Sequence, residues 1–160
     1  MRDESTKQAA QEYLAAKLTE DEQKYEDEQN LATAITRSLV MWKRFRDSVL
    51  GQCNEWNAVT QEQTLICKET PIGDLRIWCA ARAKQMTVHF DSRKLLITVK
   101  NAGRLEHEKD VILKMEGYHT GPNRNDRDVH LVRNEQVVNV DMLILAELRV
   151  LTGMKRQRNP

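Results

Sequence analysis

The chain has 160 residues, 40% hydrophobic and 31% charged, with a net charge of +1. That composition suits one domain with a modest core and excludes a disordered chain or a strongly charged binder. Three cysteines (Cys53, Cys67, Cys79) lack a CxxC spacing, and the start Met-Arg-Asp-Glu-Ser lacks an apolar leader. A secreted disulfide scaffold is therefore set aside, and the cytoplasm is the expected location.

Charge is unevenly distributed. Residues 1–30 hold nine acids and four bases, so they carry −5 while the rest carries +6. The expected organisation is an acidic, partly helical arm over 1–29, a single α+β domain over 30–154 and a short basic tail over 155–160.

Two capping-box patterns open the chain, Ser5 with Gln8 and Thr19 with Glu22. They predict helices starting near Thr6 and Glu20, either separate or merged. Leu31, Ile35, Leu39, Trp42, Phe45, Val49, Cys53 and Trp56 then recur at three- and four-residue steps. This is the apolar stripe of one long amphipathic helix, and no Gly or Pro interrupts it before Gly51. Such a stripe needs a sheet, another helix or a second copy against it.

Near residue 62 the period changes to two. Leu65/Cys67, Leu75/Ile77/Cys79, Met86/Val88/Phe90, Leu95/Ile97/Val99 and Val111/Leu113/Met115 alternate with polar neighbours. Connections such as Thr70-Pro71-Ile72-Gly73 and Asp91-Ser92-Arg93 are too short for helical crossovers. They predict an antiparallel sheet of five to seven strands, ending in a hairpin turned at Asn134-Glu135. A buried helix follows from about Val140 to Thr152, capped by Asn139 or Asp141 and ended by Gly153. The longest purely apolar run, Met142 to Ala146, is too short to cross a bilayer.

No motif carries chemistry. His89 and Asp91 share a strand face with Thr87, but no nucleophile is placed to complete a triad. The loop from His119 to Asp128 is rich in oxygen donors yet lacks the calcium-loop pattern. Cys67, Cys79, His89 and His130 lack the paired spacing of zinc ligands, and core thiols are the better reading. No catalytic residue, metal or cofactor is assigned.

The remaining candidates are surfaces. Arg37, Lys43, Arg44 and Arg46 cluster on the second half of the long helix. Trp78, His89, Leu96 and Ile112 fall opposite the core and are unusually apolar for the open face of a sheet. Cover by the C-terminal helix is the favoured explanation for them, with a partner as the alternative.

The expected function is a non-enzymatic protein–protein interaction module: an adaptor, small chaperone, immunity-type or regulatory protein. A nucleic-acid-associated protein with a basic body is the alternative, and a small-ligand sensor with a pocket between helix and sheet comes third. A homodimer through residues 20–56 is expected if the acids of Glu20–Glu28 meet the bases of Arg37–Arg46 in an antiparallel pair.

Overall fold

The computed structural model describes residues 2–154, with side chains from Glu4 onward, so the basic tail over 155–160 lies outside the described residues. The elements are α1 (Arg2–Thr60), β1 (Leu65–Glu69), β2 (Leu75–Cys79), β3 (Lys84–Asp91), β4 (Leu96–Asn101), β5 (Val111–His119), β6 (Arg127–Arg133), β7 (Gln136–Val137) and α2 (Val140–Thr152). The fold is α+β, one long helix followed by a seven-stranded antiparallel sheet in the order β1 to β7 and a C-terminal helix.

One helix replaces the two that the capping boxes allow. The Thr19 hydroxyl donates to the Ala15 carbonyl at 3.0 Å, a bond inside a helix rather than a cap. α1 therefore runs unbroken through the boundary drawn at residue 29, and its 59 residues span about 88 Å at 1.5 Å each.

Period-two alternation places Leu75, Ile77 and Cys79, then Met86 and Val88, Ile97 and Val99, and Val111, Leu113 and Met115 on one face of the sheet. These side chains form one core with Ala34, Met41, Trp42, Phe45, Val49 and Cys53 of α1 and with Ile144, Leu148 and Leu151 of α2. Both helices thus cover the same face. The expectation that α2 covers the opposite face is corrected, and width explains why. Seven strands at about 4.8 Å spacing exceed the roughly 10 Å breadth of one helix. α1 crosses β5 and β6 and continues to β1, while α2 fills the space under β3 and β4.

The phase of α1 also differs from the expected stripe. Trp42, Phe45, Val49 and Cys53 are buried and Trp56 packs at the rim, but Leu31, Ile35 and Leu39 are 56%, 58% and 69% exposed. The buried line upstream of Trp42 runs instead through Ala34, Ser38 and Met41. Ala34 and Ser38 are small, which suits the close approach of helix and sheet one to two turns upstream at Asn30. A Cβ at Gly117 of β5 would lie 2.3 Å from the Asn30 carbonyl oxygen.

α2 is held by specific polar groups. The Asn139 side chain accepts from the Met142 N–H, and Gly153 closes the helix at φ 77°. The Arg82 guanidinium donates to the Val150 and Leu151 carbonyls. At its centre Glu147 accepts two bonds from Arg104, at 3.1 and 2.5 Å, and one from Asn101 at 2.9 Å. This buried ion pair anchors the loop after β4 to the helix.

Candidate interaction surfaces

Because both helices use the inner face, neither covers the outer face of the sheet among the described residues. The strand register lays out its rows. Ile66 faces Trp78, which faces Gln85; Thr87 lies between Arg76 and Lys100; Thr98 lies between His89 and Ile112; Leu96 faces Lys114, which faces Val132. Trp78 is 39% exposed and Ile112 54%, while Leu96 is half-buried. At the far end the Tyr118 ring stacks on His130 with centroids 4.3 Å apart. Lys68, Arg76, Lys100 and Lys114 are exposed among these rings. The four outward residues named from sequence do share this face. Tyr118, His130 and the four cations were not grouped with them, although the same alternation points to them.

His89 does not pair with Asp91. Its Nδ1 lies 2.6 Å from Oδ1 of Asp74, at the end of the turn joining β1 to β2. Asp91 instead accepts the backbone N–H groups of Lys94 and Arg93, which hold its carboxyl below the usual range. Cys67 and Cys79 sit on inner-face positions and His89 and His130 on outer ones, so the four cannot converge. Among the described residues, no three His, Cys, Asp or Glu groups gather as a metal site. The polar loop after β5 is satisfied internally. Thr120 N–H donates to the Asp126 carbonyl, and the His119 ring meets the Asn123 carbonyl at 2.8 Å.

The basic residues of α1 do not form one patch. Arg37 pairs with Asp128 at 3.4 Å and Arg46 with Glu69 at 3.1 Å, whereas Lys43 and Arg44 are exposed. Two of the four cations in the antiparallel dimer scheme are thus engaged within the chain.

A second surface runs along α1. Every residue from Glu4 to Tyr25 is exposed. Side chains engage the sheet domain at Tyr25, beneath the Arg124 guanidinium, and at Glu26, which with Asn30 receives Arg127. Residues 2–24 therefore project as roughly 35 Å of helix. Leu14, Leu18, Tyr25, Ala32, Ile35 and Leu39 follow at steps of four, seven, seven, three and four, a heptad-like exposed stripe along α1 that Arg124 of the loop after β5 meets at Tyr25. Asp21 and Glu28 occupy the two positions that interrupt it. The stripe joins the projecting and anchored halves of the helix. Its upstream part was missed because the arm reads as acidic before it reads as periodic.

Between α1 and α2 lies an open recess of about 840 Å³. Trp56, Val59, Met142, Leu145 and Leu148 form its apolar walls, and Glu55, Asp141 and Arg149 stand among its lining residues. It separates the two helices, whereas the pocket expected from sequence lies between helix and sheet.

Among the described residues no helix is long and apolar enough to cross a membrane. Compared with known proteins, the chain matches no family model, no curated protein and no solved structure.

Proposed function

We propose that this chain is a non-enzymatic protein-interaction module whose docking element is the projecting half of α1. The observation that carries the reading is the exposed stripe over residues 14–39, on a helix whose side chains first engage the sheet domain at Tyr25. An isolated helix in water is marginal and gains most of its stability from packing an apolar face. The stripe supplies that face, and among the described residues it is met within the chain at Tyr25 by Arg124 but is otherwise left exposed. Nine acids in residues 1–30 flank it, so the fitting surface is an apolar stripe bordered by cations. A second copy offers one such surface, Leu39 beside the exposed Lys43 and Arg44. The test compares the immobilised full chain with its Leu14→Asp/Leu18→Asp variant in extract of the native host. A protein retained by the first and lost from the second supports the reading. Identical retention on both, with the variant still helical, rejects it.

A second reading, single-stranded nucleic acid on the outer sheet face, draws on Trp78, the Tyr118–His130 stack and the cations around them. Oligonucleotide affinity that falls steeply with salt and is lost in Trp78→Ala would favour it over the first.

A further inference from the structure

α1 and β1 run side by side in opposite directions, joined at two points. At one end the Asn57 amide brackets Leu65: its Nδ2 donates to the Leu65 carbonyl at 2.8 Å, and the Leu65 N–H donates to Asn57 Oδ1 at 2.9 Å. At the other end Arg46 meets Glu69 at 3.1 Å. Between these contacts, Cys53 stands one turn before Asn57 and Cys67 stands two residues beyond Leu65. Four helical residues advance about 6 Å and two strand residues about 7 Å, so the same alignment brings Cys53 beside Cys67. Both belong to the packed interface, Cys53 buried and Cys67 at its half-buried margin.

We propose that Cys53 and Cys67 are a reactive thiol pair that a small-molecule disulfide oxidises to an intramolecular bond, tying α1 to the edge strand β1. Placed side by side, the two thiols bias each other's ionisation: the thiolate is favoured on Cys67, while Cys67 and burial together push the Cys53 thiol up. Cys67 is also the more accessible of the two, so it is the attacking group. Its thiolate attacks one sulfur of the small disulfide, forming a mixed disulfide and expelling one small thiolate, which takes up a proton. Cys53 then loses its proton and attacks the Cys67 sulfur, expelling the second small thiol. Two protein thiols are oxidised by two electrons, and one small disulfide is reduced to two thiols. Cys79 is buried on β2 opposite Leu65, one strand further from the sheet edge than Cys67, and it stays reduced.

The experiment treats the full folded chain with oxidised glutathione, quenches with acid, and counts free thiols under denaturing conditions alongside a non-reducing peptide map. The expected result is a fall from three free thiols to one. The product carries no glutathione and its linked peptides contain Cys53 and Cys67. Cys79→Ser leaves this product unchanged, and Cys53→Ser stops at a stable glutathione adduct on Cys67. Three free thiols after treatment, a persistent adduct in the unsubstituted chain, or a bond that includes Cys79 would each overturn the proposal. The map of the unsubstituted chain decides the matter alone if a variant fails to fold.

Discussion

Replacing Gly117 with alanine tests the close approach of α1 to the sheet. The new Cβ would lie 2.3 Å from the Asn30 carbonyl oxygen and 2.9 Å from its carbonyl carbon and Cα. All three are backbone atoms of a helix pinned on either side by Arg127 and the buried Ala34, so no flexible side chain can give way. Overpacking of this kind costs about 1–3 kcal/mol, and a backbone obstacle places it in the upper half of that range. Replacing a strand glycine returns about 0.5–1 kcal/mol of chain entropy. The net loss is about 1–2.5 kcal/mol, which lowers a urea midpoint by roughly 0.5–1.2 M at a slope near 2 kcal/mol/M. Urea unfolding followed by tryptophan fluorescence reads this directly, because Trp42 sits in the same interface. An unchanged or raised midpoint would show that α1 does not lie against β5 as described.

Three further outcomes follow from the packing. Phe45→Ala removes a side chain only 1% exposed and stacked on Trp42, and should cost about 3–5 kcal/mol in thermal or urea unfolding; a loss below about 1 kcal/mol would place that stripe in water. Glu147→Ala strands the Arg104 guanidinium, whose side chain is 10% exposed, and should also cost about 3–5 kcal/mol. The double variant Glu147→Leu/Arg104→Met should recover much of that loss, and a cycle showing no coupling would contradict the pairing. Asp91 should titrate by NMR below its ordinary value of 3.8, because the Lys94 and Arg93 N–H groups favour its charged form. A depressed folded-state pKa means that this contribution is present above the unfolded value and lost as pH falls through the folded one. A midpoint at or above 3.8 would contradict the cap.

The sheet was legible because its alternation is strict: every inward residue from Leu75 to Met115 reads off a period of two. α2 was legible from Asn139 and Gly153, whose cap chemistry is local. The phase of α1 upstream of Trp42 was not, because the close approach at Gly117, far along the chain, suits small residues over the larger Leu31, Ile35 and Leu39. The side taken by α2 depends on how much of the inner face α1 leaves uncovered, a quantity no local pattern encodes. His89 finds Asp74 at the end of a turn rather than Asp91 on its own strand, because cross-strand geometry, not sequence proximity, sets the partner. The outer-face residues Trp78, His89, Leu96 and Ile112 were identified correctly as a group, but their intramolecular cover was not.

The docking role of α1 is tested most directly by scanning a photo-reactive side chain along the helix inside the native host. Positions 14, 18, 25, 35 and 39 should yield a discrete cross-linked protein, at twice the chain mass if the partner is a second copy. Positions 16 and 23, on the opposite side of the same projecting helix, should yield little. That helical periodicity is the predicted result. Cross-linking that is absent at all seven positions, or equal on both sides of the helix, would contradict the account.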